Sequence, residues 1–166
     1  MFCSRLDEDV FALNKNYTSH GDVPDGQLAL NAFQRRNVRV SVNDEVQVAR
    51  YVVEKKCELV LLLLELQFVK FRGKQEMIDA EKLKKKLISS YVGQVMMMSQ
   101  SVSFEYNGTN YIFIVKEAKP VEEVKDSIEG RNRTMESNRG VWTNDTSITL
   151  ETARNSGISI FNPDSD

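Results

Sequence analysis

Apolar and polar positions alternate with a period of two over much of this chain, a pattern that predicts strands more often than helices. Gln27–Phe33 (QLALNAF), Val38–Val42 (VRVSV) and Val46–Val53 (VQVARYVV) each read as strands, after a short apolar run at Asp9–Asn14. Turn signals stand between them. Asp22–Gly26 combines a proline with Asp-Gly, which favours reversal, and Asn43-Asp44-Glu45 makes a second turn. Arg35 and Arg36 fall in the turn predicted between the first two strands, with Arg39 nearby. Lys55-Lys56-Cys57 breaks the pattern and sets a boundary, with a first subdomain over 1–54 and a second over 55–161.

The second part mixes periods. Glu58–Phe71 is rich in leucine, which suits a helix as readily as a strand. Leu66 and Phe68 alternating against Gln67 and Lys70 decide for a long strand, ended at Gly73-Lys74. Asp79–Val92 has the helical period: Ala80, Leu83, Leu87 and Tyr91 share one face, and Lys82, Lys84, Lys85 and Lys86 cover the rest. Asp79 is placed to cap it and Gly93 to stop it. Val95–Met98 is a short strand or turn, with Met96 to Met98 expected to fill the core. Ser101–Val115 predicts a hairpin about Asn107-Gly108, the pair that best tolerates positive dihedrals in a two-residue turn. Lys119–Arg139 lacks periodicity and is expected to be a loop. Val141–Leu150 and Gly157–Phe161 read as final strands, and 162–166 as the start of a linker. The elements together define a β-rich α+β chain.

Composition adds little and charge adds more. With 41% hydrophobic and 28% charged residues, the chain has the make-up of a soluble globular protein. Its net charge of −2 gives no case for nucleic acid or an anionic membrane surface. The charge is uneven, however. Thirteen Lys and Arg stand against eight Asp and Glu from Arg35 to Lys86, and six against ten from Glu117 to Asp166. Two cysteines, Cys3 and Cys57, form neither a disulfide framework nor a metal pair, so a reducing compartment is expected. The longest apolar run, Leu59–Leu64, is far shorter than the ~20 residues a membrane helix needs.

Catalytic patterns are missing where they would be sought. Gly73-Lys74 is followed by Gln75, and Phe68 stands where a phosphate-binding loop needs its first glycine. His20 is the sole histidine and lies in a turn beside Gly21, the setting of a solvated side chain. The arginines carry more promise, because a guanidinium fork pairs with a carboxylate through two hydrogen bonds.

Gly26–Tyr51 (GQLALNAFQRRNVRVSVNDEVQVARY), Leu63–Phe71 (LLELQFVKF), Val92–Val115 (VGQVMMMSQSVSFEYNGTNYIFIV) and Asn155–Asp164 (NSGISIFNPD) together resemble the amino-terminal domain of the vesicle-fusing ATPases, the NSF (N-ethylmaleimide-sensitive fusion protein) family, and most of all its plant members. The resemblance covers most of the chain from Asp9 onward, except Lys119–Arg139. It implies a Cdc48-type N-domain: a partial double-psi β-barrel over 1–54 and a small α/β roll over 55–161. It implies a soluble attachment protein (SNAP) bound to a SNARE complex as partner, gripped by basic residues. Arg35 falls on the family's turn arginine and Arg36 on its basic neighbour. Lys70 and Arg72 fall near a second basic pair, with Phe71 between them. No nucleic acid and no direct membrane insertion are implied.

The family's earlier strands and its AAA ATPase modules have no counterpart in this sequence. The chain is therefore expected to be a truncated N-domain and not itself an enzyme, without ATP, magnesium or the hexamer that those modules supply. The expected setting is cytoplasmic, peripheral at Golgi and other transport membranes through partners, in SNARE disassembly. The alternative expectation is a motor-less copy that competes for SNAP, or a non-functional fragment.

Overall fold

The computed structural model describes residues 2–4, 11–12, 20–49, 57–70, 73, 75–121 and 139–163. Most of Asp9–Asn14, the end of Val46–Val53, Arg72 and nearly all of the loop expected over Lys119–Arg139 lie outside the described residues. The chain separates into two compact units, Met1–Val52 and Val53–Asp166.

In the first unit, β1 (Phe2–Ser4), β2 (Phe11–Ala12) and β3 (Gln47–Ala49) form an antiparallel sheet in the order β2-β1-β3. The pattern before Asp9 gave no sign of β1. Between β2 and β3 lies a six-residue helix, α1 (Ala32–Asn37). Two expectations fail here. Gln27–Phe33 and Val38–Val42 are not strands, and Arg35 and Arg36 stand in α1, not in a turn. Local hydrogen bonds override the alternation. The Asn31 side chain accepts from the Gln34 backbone N–H at 2.9 Å, and the Gln34 side chain accepts from the Asn31 N–H at 2.9 Å. This reciprocal cap satisfies two otherwise orphaned donors and starts the helix. Beyond it, Arg39 and Asn43 have φ of 54° and 67°, which no strand accommodates. Leu28, Leu30, Val40 and Val46 instead wrap Val38, which is 2% exposed. The expected turn at Asp22–Gly26 is present, tied by Val23 N to His20 O at 3.0 Å and Gln27 N to Pro24 O at 3.1 Å.

The second unit is built on β4 (Leu59–Phe68), β5 (Glu76–Asp79), α2 (Ala80–Tyr91), β6 (Val95–Met97), β7 (Ser101–Tyr106), β8 (Thr109–Pro120), β9 (Arg139–Val141), β10 (Ser147–Thr152) and β11 (Ile158–Phe161). Four strands form a sheet in the order β10-β4-β8-β7, with β10 and β4 parallel and the rest antiparallel. β5 pairs with β11 in parallel, and β6 with β9 antiparallel.

The ladder between β4 and β8 contains two single-residue bulges, at Val60 and at Lys116. Each resets which side chains point inward. Leu59 is buried before Val60, and Leu62, Leu64 and Leu66 after it. On β8, Tyr111, Phe113 and Val115 are buried before Lys116, and Ala118 and Pro120 after it. A side-chain period of two makes this switch unavoidable when one residue is looped out.

The helix matches the sequence pattern. Asp79 accepts from the Lys82 N–H at 3.1 Å, which holds its carboxyl below the usual carboxylate range. Ala80, Leu83 and Leu87 are buried. Gly93, at φ 84°, follows the last turn. Leu83 and Leu87 join Leu62, Leu64, Leu66, Phe113 and Trp142 in one core, each fully shielded. Met96 is buried as the core reading expects, Met97 half-buried, and Met98 exposed. At Gly140 only glycine fits, since a Cβ would stand 2.4 Å from the Cys57 carbonyl oxygen. Next to it, Trp142 exchanges backbone hydrogen bonds with Gly93 (2.7 Å) and Gln94 (2.9 Å).

Candidate partner-binding surface

The basic residues expected to meet a partner sit on different supports. Arg35 and Arg36 occupy the last turn of α1, where positive charge complements the carbonyl end of the helix. Successive helical residues point about 100° apart, and the pair diverges accordingly. Arg35 folds back, its Nη1 donating to the Leu30 carbonyl at 2.6 Å, and is half-buried. Arg36 is exposed. Arg35 thus spends one arm of its fork on the backbone, which also braces the segment before the helix. The Arg35 carbonyl accepts from Val40 N at 3.0 Å and the Arg36 carbonyl from Arg39 N at 3.2 Å, so the chain after the helix is fixed as well.

Lys70 lies in the second unit, two residues beyond the end of β4, and is exposed. Arg72 lies outside the described residues. The chain just before Lys70 is held by Val69 N donating to the Asn110 carbonyl at 3.2 Å. Lys70 borders a cavity of about 220 Å³ with Phe68, Glu76, Gly108, Thr109 and Asn110.

Beneath that cavity is a polar clasp that sequence reasoning did not find. The Tyr111 hydroxyl donates a short hydrogen bond to Glu76 Oε2, and Thr109 Oγ1 donates to Glu76 Oε1 at 3.3 Å. Burial, and then the hydrogen bond to Glu76, push the Tyr111 phenol well above its ordinary range. The tyrosine therefore keeps its proton and ties β8 to β5. It is sandwiched between Phe68 (ring centroids 5.4 Å apart) and Phe104 (5.6 Å). Phe104 leads on to Phe113 at 5.8 Å, Phe113 to Tyr91 at 5.3 Å, and Tyr91 to Trp142 at 6.1 Å. A continuous file of rings thus runs from Phe68, near Lys70, to Trp142 by way of Tyr91 on α2, and its stacked and edge-to-face contacts favour this packing. Alternation in β8 signals that Tyr111 faces inward, but nothing in sequence pairs it with a carboxylate from the four-residue strand β5.

The lysines of α2 behave as an ordinary wet face. Lys82 pairs with Asp79 and Lys84 with Glu81, both at 3.1 Å. His20 is exposed, 3.7 Å from Asp22. Among the described residues there is no group of three or more His, Cys, Asp or Glu placed to hold a metal ion, and no helix long and apolar enough to cross a membrane.

The arrangement is that of a β-rich α+β protein presenting the exposed basic side chains Arg36 and Lys70 on hydrogen-bonded segments. Its sequence is similar to that of a vesicle-fusing ATPase from Arabidopsis thaliana, with 43% identity over 143 residues. The match covers 86% of this chain and 18% of that protein, so the chain spans less than a fifth of its relative's length. No protein-family model matches the chain.

Proposed function

We infer that this chain is a partner-binding N-domain of the vesicle-fusing ATPase type, which docks a SNAP-coated SNARE complex through basic side chains. The observation that carries this reading is the 43% identity to a vesicle-fusing ATPase over most of the chain. The exposed Arg36 and Lys70 support it, each on a segment braced by its own hydrogen bonds. In this reading Arg36 makes the leading contact of the first unit, and Arg35 chiefly positions the helix. Lys70 and Arg72 serve the second unit. The finer architecture, a double-psi barrel followed by an α/β roll, belongs to the same proposal, as does peripheral residence at transport membranes. Hydrolysis of ATP is assigned to modules of the relative and not to the residues described here.

Binding of this kind is electrostatic. Exposed ion pairs contribute only about 0.2–1 kcal/mol each, so several act together and salt weakens them all. The test is the affinity for purified SNAP of the parent chain and of Arg36→Glu with Lys70→Glu. The expected loss is about tenfold or more, since each reversal removes an attraction and adds a repulsion. Equal affinities at low salt would overturn the reading.

A further inference from the structure

Asn107-Gly108 is the one Asn-Gly pair in the chain. It forms the tip of the hairpin between β7 and β8, where both residues are exposed and have φ of 50° and 76°. A Cβ built on Gly108 would meet nothing within 4 Å outside its immediate chain neighbours, and glycine itself puts no side chain beside the Gly108 amide. The same hairpin end meets the Lys70 segment. Gly108 and Lys70 line one cavity, and Val69 N donates to the Asn110 carbonyl at 3.2 Å.

We propose that Asn107 is a deamidation site whose conversion places a carboxylate next to Gly108, in the hairpin end that lines the Lys70 cavity, and weakens the docking of an acidic partner there. The Gly108 backbone nitrogen attacks Cγ of Asn107. A new N–Cγ bond forms, the Cγ–Nδ2 bond breaks, and the proton lost from the Gly108 nitrogen balances the one that leaves with Nδ2 as ammonia. The five-membered succinimide that results takes up one water at either carbonyl. Opening gives aspartate, or isoaspartate with the chain rerouted through the former side chain. No oxidant or reductant is consumed.

Two consequences follow from the geometry. The gained negative charge stands on the residue before Gly108, which lines the cavity that Lys70 borders, and it competes with an external carboxylate for the Lys70 ammonium. The isoaspartyl form also adds a backbone atom to a two-residue turn whose register is set by Tyr106 opposite Thr109. The effect on docking rests on the SNAP-binding reading above; the chemistry at Asn107 does not. Asn155 supplies an internal standard, because it too has positive φ (58°) but precedes Ser156, whose side chain crowds the attacking nitrogen.

The experiment ages the folded chain in mildly alkaline buffer, digests it and separates the asparaginyl, aspartyl and isoaspartyl forms of the hairpin peptide by chromatography and mass. Conversion at Asn107 ahead of Asn155 is expected, and none at that position in N107G, which keeps a turn-compatible Gly-Gly pair. An Asn107 that stays intact while Asn155 converts overturns the proposal. Affinity for SNAP is then measured for fresh chain, aged chain, N107D and N107G. The expected loss is about 1.5- to 5-fold for N107D and the aged chain relative to N107G, the range of one exposed ion pair. Equal binding by all four overturns the regulatory half. If even the fresh chain fails to bind, the SNAP-binding reading falls, and the peptide measurement still decides the modification.

Discussion

The two units of this molecule hold themselves together by different means. Val53–Asp166 closes around a large apolar core in which Leu62, Leu64, Leu66, Leu83, Leu87, Phe113 and Trp142 are fully shielded. Met1–Val52 has, among its described residues, one fully buried apolar side chain, Val38. Its order around α1 comes from a reciprocal cap, a guanidinium on a carbonyl and turns at positive φ. Hydrophobic burial is additive and tolerant of detail, whereas a cap depends on one atom pair. The difference teaches that the described part of the first unit rests on exact local geometry around α1, and the second unit on broad apolar burial. Partner residues placed on each are therefore sensitive to different mutations.

The comparison breaks most visibly in the larger core. Leu66→Ala should lower the stability of the second unit by about 2–5 kcal/mol, the range for emptying a buried leucine site, as read from urea unfolding. A loss below about 1 kcal/mol would mean that the sheet collapses into the gap. Tyr111→Phe comes next. It strips the hydroxyl from Glu76 and should cost about 1.5–3 kcal/mol, as hydrogen bonds to charged groups do.

The same tyrosine gives a pH signature. Its phenol is raised above the ordinary value of 10.0, so above that pH the unfolded chain releases a proton that the native chain keeps. Stability conferred by the neutral phenol is thus fully present below that pH and falls as pH rises. Tyr91, raised by burial, acts in the same direction. Alkaline denaturation should be shallower for Tyr111→Phe than for the parent. An identical slope in both would show that the clasp carries no weight.

In the first unit the effects shrink. Val38→Ala removes two buried carbons, about 1.6 kcal/mol at 0.8 per carbon, and should loosen the amides of α1 in hydrogen exchange while those of α2 stay protected. Asn31→Ala should cost about 1 kcal/mol through loss of the cap, with Asn31→Asp close to neutral. If Asn31→Ala left exchange at α1 unchanged, packing on Val38 and not the cap would be what defines the helix.

How legible each region was follows from the same contrast. α2 was plain in the sequence because four apolar residues at helical spacing, an aspartate before them and a glycine after them all agree. The β7–β8 hairpin was equally plain, since turn chemistry and alternation coincide, whereas β4 was less so, because its leucines suit a helix as readily as a strand and only Leu66 and Phe68 alternating against Gln67 and Lys70 decide for a strand. α1 was not, because Gln27–Phe33 alternates like a strand, yet a four-residue Asn-x-x-Gln cap outweighs that alternation. β5 was invisible, as four residues carry too little pattern, and its pairing with β11 joins positions some eighty residues apart. At the candidate surface, residue type and approximate position were readable for Arg36 and Lys70. The folding-back of Arg35 and the Glu76–Tyr111 clasp were not, because both depend on where a backbone carbonyl or a distant strand comes to lie.

The paired irregularities of the central ladder have a consequence for how this chain tolerates changes in length. Val60 on one strand and Lys116 on the other each add one residue, and the two additions cancel, so that alignment beyond them is what it was before them. Striking out both leaves an unbroken inward–outward rhythm from Leu59 to Leu66 and from Val115 to Pro120. These two sites therefore work as a matched frameshift and its suppressor: a deletion at one is tolerated best when accompanied by a deletion at the other.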